Sequence, residues 1–139
     1  MCSRHSRVMT LPARFIPPML CDRLADPAHL ADRRYTAEPK LDGQHAQLHV
    51  QGGRAVACYS RRGLDLLQHA GMAWLTGLAW PFDDAVLDGE ACAGDGHEGI
   101  HAVFTDRKRA DGDIAFVAFD LLHLGGHTSW ASPGAIAAA

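Results

Sequence analysis

Between His45 and Ser60 the chain can do little except form a β-hairpin. Ala46, Leu48 and Val50 alternate with His45, Gln47 and His49, the period-two pattern of a strand with one buried and one wet face. Gly52-Gly53 follows, and Ala55–Ser60 returns as a second strand. A Gly-Gly pair suits the tightest hairpin turn, whose two central residues both need positive φ. A lone hairpin buries too little surface to fold, so the rest of the chain must supply its partners.

Leu64, Leu67, Trp74, Leu75 and Leu78 fall at helical spacing, which predicts an amphipathic helix over 64–79. Pro81 stops it. Ala85–Cys92 reads as a strand with Asp88-Gly89 at an irregular point within it. Residues 100–109 read as a short helix and Asp111-Gly112 as a turn. Ile114–Leu124, the most apolar segment, reads as a buried strand. Upstream, Pro17-Pro18 and the polar stretch Asp22–Arg34 form an entry segment with one short helix. The expected fold class is α+β, mostly antiparallel sheet with flanking helices, over residues 15–124. Residues 1–14 read as a disordered leader, or translation starts at Met9. Residues 125–139 carry no Asp, Glu, Lys or Arg and end in three alanines, a low-complexity tail.

Charge is distributed unevenly. Residues 1–62 hold ten Lys+Arg against five Asp+Glu, whereas residues 63–106 hold eight acids and no Lys or Arg. The net charge of −3 argues against a protein that coats nucleic acid, yet the basic first half could face phosphates. No run approaches the ~20 apolar residues of a membrane helix, so no membrane partner is expected. Cys2, Cys21, Cys58 and Cys92 lack C-x-x-C spacing. They read as reduced thiols of a cytoplasmic protein.

Only two of the thirteen basic residues are lysines. Lys108 lies in Arg107-Lys108-Arg109, a solvated run. Lys40 lies in Glu38-Pro39-Lys40-Leu41-Asp42-Gly43, just before the hairpin, with carboxylates two residues to either side. Unlike arginine, lysine can lose its proton near neutral pH and act as a nucleophile. A K-x-D-G tetrapeptide alone is more often a turn with a solvated lysine. Three further segments follow in order: Ser60-Arg61-Arg62-Gly63, Leu87-Asp88-Gly89-Glu90 and Phe119-Asp120-Leu121-Leu122.

Together these four segments resemble the ATP-dependent DNA ligases of the covalent nucleotidyltransferase superfamily, above all the bacterial end-joining type. The resemblance runs from about Phe15 to Leu124. It implies part of a nucleotidyltransferase (ATP-grasp-like) adenylation domain. Lys40 would attack the α-phosphate of ATP and form lysyl-AMP. Glu38 would hydrogen-bond the adenine edge and Phe119 would stack on the purine. Glu90 would reach the ribose or help hold Mg²⁺, Arg61 would contact nucleotide or DNA, and Asp42 would shape the nucleophile motif. AMP would pass to the 5′-phosphate of nicked double-stranded DNA for sealing, with other DNA-repair proteins as partners. The attacking amine must be neutral, through burial or nearby cations. No P-loop is present to hold ATP in another way. RNA ligases and capping enzymes share the nucleophile motif; the F-D-L-L segment and the arrangement after S-R-R-G favour DNA ligase.

Two features depart from the family pattern. His45 stands where the family usually has Arg, giving fewer donors and no permanent charge. The family's later glutamate and lysine-rich motifs, and its OB domain, have no room in the last 15 residues, so a gene fragment or frameshifted remnant unable to seal DNA alone is expected. An inactive remnant or weak nucleotide-binding fragment is the alternative. A remoter one is a zinc metalloprotease, because His97-Glu98-Gly99-Ile100-His101 matches H-E-x-x-H, with His123 or His127 as a third ligand. Gly94, Gly96 and Gly99 argue against a helix there, and a solvated loop is the simpler expectation.

Overall fold

The computed structural model describes residues 14–20, 26–34, 38–94, 96–105 and 114–128. The expected leader, apart from Arg14, lies outside the described residues. Five strands form one antiparallel sheet in the order β2-β1-β3-β4-β5. They are β1 (Gln44–Gln51), β2 (Arg54–Ser60), β3 (Asp84–Ala93), β4 (Ile114–Leu124) and β5 (His127–Thr128). Gly52 and Gly53 take φ of 57° and 71°, so the hairpin turns as the Gly-Gly pair requires. Among the described residues two α-helices accompany the sheet, α1 (Ala70–Ala73) and α2 (Gly96–Thr105). No helix among the described residues is long and apolar enough to cross a membrane.

One face of the sheet makes the core. Leu48, Val50, Cys58, Leu87 and Ala91 pack there against Leu66, Met72, Leu75 and Ile100. Burial of this apolar surface supplies the main driving force for the fold. Burial pushes the Cys58 thiol up to about 12, with the Asp65 charge adding to it. Gly89 lies on this face. A Cβ there would sit 2.6 Å from the Val117 carbonyl oxygen and 2.8 Å from the Phe116 ring. The Asp88-Gly89 step is irregular as expected, because the β3–β4 register slips there.

The structure differs from the sequence expectation in several places. The helix over 64–79 is broken into a 3-10 turn (Leu66–Gln68), α1 and a second 3-10 turn (Trp74–Gly77). The Asp65 side chain accepts from the Leu67 and Cys58 N–H groups, pinning the first turn to β2, and His69 is extended between the turns. The buried residues are Leu66, Met72 and Leu75; Leu64, Trp74 and Leu78 are exposed.

Strand β1 is buried on both faces rather than one. The Gln47 side chain accepts from Ile16 N–H at 2.9 Å and donates to Ile16 C=O at 3.0 Å. Phe15 meets the edge of Tyr59 at 5.8 Å between centroids. The segment 14–20 thus straps the outer face at β1 and β2.

Conversely, β4 is less buried than its composition implies: Val117 is 38% and Phe119 49% exposed. The strap's contacts are with β1 and β2, and Val117 and Phe119 remain open. Finally, Gly125-Gly126 turns into β5 instead of beginning a structureless tail. Asp84 and His123 tie β3 to β4 beside this turn, with both side chains buried and 3.0 Å apart. Residues 129–139 lie outside the described residues.

Candidate active site around Lys40

The outer face of the sheet carries a polar stripe. Register pairs His45 with Glu90 and Glu90 with Val117. One row along, Gln47 pairs with Asp88 and Asp88 with Asp120. Alternation along the strands therefore puts the Asp88 and Glu90 carboxylates on the face opposite Leu87, Gly89 and Ala91.

The segment 38–43 runs along the edge of this stripe. Gly43 lies so close to β3 that a Cβ would run into the Ala91 carbonyl oxygen and sit 2.9 Å from Glu90 Cγ. This close approach explains the glycine of K-x-D-G. The Gly43 N–H donates to the Glu90 carboxylate. Burial raises the Glu90 pKa, the Gly43 hydrogen bond and the charges of His45 and Lys40 pull it down, and Asp42 pushes it up again. Lys40 is itself exposed, yet its ammonium is near enough to act on Glu90. On the other side, the Asp42 carboxylate lies against Gly96 at the start of α2.

Of the residues singled out in the sequence, Lys40, Asp42 and Glu90 are brought together. Arg61, exposed just beyond the end of β2, shares with His45 an open depression of about 310 Å³ that is also lined by Pro18, Met19 and Leu20. Phe119 stands on β4 where the register slips, two residues along from Val117, the partner of Glu90. Glu38 is exposed at the start of the segment.

Sequence reasoning missed the roles of four residues. His45 is not merely a lost arginine: its Nε2 is 2.7 Å from Asp88 Oδ1, in a pair that is 17% exposed on each side. The D-G-E motif contained the partner, but only strand pairing reveals it. Met19 and Leu20 on the strap also gave no local signal. Nor did Gly96, which immediately precedes the H-E-x-x-H stretch. That stretch is helical, against the expectation of a loop, because Gly99 and Ile100 are buried beneath it. The His97 and Glu98 side chains lie outside the described residues. Among the described residues no group of three metal-ligating side chains gathers.

Cys92 lies beside this cluster, with its thiol pKa raised by burial and by the charges of Glu90 and Asp42. Repulsion between Asp42 and Glu90 is an electrostatic arrangement that a hard divalent cation would relieve, and carboxylate oxygens are the donors such a cation takes.

Comparison with known proteins bears on the fold and the family. Among solved structures, the ligase domain of M. tuberculosis LigD is 29% identical, with a TM-score of 0.53, over 68% of this chain and 31% of that one. A mycobacterial DNA ligase D complexed with ATP and MES is 28% identical, with a TM-score of 0.46, over 66% of this chain and 30% of that one. The chain therefore spans about a third of the length of these structures. None of the curated proteins matches. The family model of the ATP-dependent DNA ligase domain matches residues 18–133, most of the sequence, and the chain belongs to that family.

Proposed function

We propose that this chain carries out the adenylylation step of its family, with Lys40 as the nucleophile. The observation that carries the reading is convergence on one carboxylate. Gly43 binds Glu90, and the charges of Lys40, Asp42 and His45 all act on it. The four residues come from one short segment, and Glu90 comes from the D-G-E motif 50 residues away. A turn with an unrelated solvated lysine has no need of that clamp.

In this reading, Lys40 Nζ forms a bond to the α-phosphorus of ATP. The bond to pyrophosphate breaks, and the amine proton leaves to water. Holding amine and phosphate in one geometry accelerates the step. Glu38 takes the adenine edge. Phe119, half open on β4, offers its ring to the purine face. Arg61 and His45, which share one depression, face the phosphates or the DNA. Glu90 would hold Mg²⁺, which would neutralise charge on the phosphates. AMP then passes to the 5′-phosphate of nicked duplex DNA, and a 3′-hydroxyl displaces it. Such chemistry serves DNA repair in the cytoplasm or nucleoid, together with other repair proteins.

The test is incubation with α-labelled ATP and Mg²⁺. Label retained by the protein, released by acid as expected for a phosphoramidate, and absent from Lys40→Ala supports the reading. Label that survives in Lys40→Ala contradicts it. Adding nicked duplex afterwards tests transfer separately.

A further inference from the structure

The nucleophile segment is held at two points, and only one hold belongs to the motifs. Gly43 presses on β3. A second contact comes from α2, which begins at Gly96 with φ of 70°. A Cβ at Gly96 would stand 2.8 Å from Asp42 Oδ2 and 3.7 Å from Asp42 Cγ. Real side chains do not tolerate the first distance. The carboxylate is the tip of a flexible side chain and would swing away at little cost in stability. What would be lost is its seat at the helix N-terminus, where the partial positive charge of free N–H groups favours an anion.

From this contact we infer that Gly96 is a positioning residue for the Lys40 reaction. It acts through Asp42. A bare backbone at the start of α2 lets the Asp42 carboxylate dock there, and this docking fixes the segment that presents Lys40. The inference rests on the reading of Lys40 as nucleophile. It adds to that reading a residue from between two motifs, and it gives Asp42 the role of an anchor rather than of a nucleotide contact.

Single-turnover formation of labelled lysyl-AMP by the full chain, followed across ATP concentrations, separates binding from the chemical step. Gly96→Ala should lower the maximal rate by roughly 10- to 100-fold, as sub-ångström to ångström misplacement of a reacting group does. The half-saturating ATP concentration should stay nearly unchanged. Alanine also strains the positive φ. Gly96→Asn is therefore the sharper variant, since Asn tolerates that backbone far better yet places a Cβ at the same point. It should lose rate comparably. Asp42→Ala should be as slow, and adding Gly96→Ala to it should cost nothing more.

Gly96→Asn reacting as fast as the wild type would overturn the inference. So would full rate in Asp42→Ala, which leaves Gly96 untouched, or equal losses from Gly96→Ala with and without Asp42. Wild type labelled on Lys40 with unchanged variants sinks this inference alone. A wild type that takes no label at Lys40 removes the nucleophile reading and the inference with it.

Discussion

The two faces of the sheet obey different rules. On the core face, Leu48, Leu87 and Ala91 meet Leu66, Met72, Leu75 and Ile100 in one apolar cluster. On the outer face, Gln47 and His49 are as buried as Leu48 but polar, and each hydrogen-bonds: Gln47 to the strap, His49 to Gln47. Further along the same face, Glu90 and Asp88 are half-open and Phe119 is exposed. In the proposed function, the same strands carry stability on one side and chemistry on the other. Substitutions should divide accordingly.

The largest effect expected is on chemistry without stability. Lys40→Ala should abolish the nucleotide adduct while its melting temperature stays near that of wild type, since Lys40 is exposed. Adduct formation and thermal melting on the same samples check both halves. The reverse holds on the core face. Leu48→Ala removes a fully buried side chain and should cost about 2–5 kcal/mol in denaturant unfolding.

Gly89→Ala blurs the division usefully. Its Cβ would collide on the core face, although its neighbours carry the polar stripe. About 1–3 kcal/mol of overpacking is expected. A stability loss far below that would show that β4 can move off β3.

Acid should probe the outer face. Burial holds His49 down to about 4, with His123 adding to the shift and Asp84 opposing it. The ordinary value is about 6.5. A depressed histidine is neutral when folded, and the unfolded chain takes up the proton first. Stability should therefore fall as pH drops from about 6.5 to about 4 and level off below that, by about 1–3 kcal/mol for this group. Urea unfolding across that range should show the decline, and His49→Asn should flatten it. The smallest effect concerns the strap. Gln47→Leu removes two hydrogen bonds to Ile16 and one with His49, the two to the strap costing about 1–2 kcal/mol. Faster hydrogen exchange at the Ile16 amide would register it.

Local pattern revealed the hairpin and strands β3 and β4, because alternation and turn glycines act over a few residues. The nearness of Lys40 to Glu90 was implied by the family resemblance that the motif order carries. Properties set at a distance were hidden. No spacing rule says that Ile16 returns to cover Gln47, so β1 read as half-wet. The leucines at 64, 67 and 78 mimic a helix face, but Asp65 commits its side chain to Cys58 on β2 and breaks the run. Apolar composition in β4 implied burial, whereas Phe119 remains open. His45 lost an arginine's charge yet gained Asp88, a partner that only strand register supplies.

The central claim concerns one amine and is tested most directly by intact mass. After incubation with ATP and Mg²⁺, the wild-type chain should gain a single adenylate, and peptide mapping should place it on Lys40. An adenylate mapped to any other residue, or unmodified protein under conditions where the fold is intact, would contradict the account.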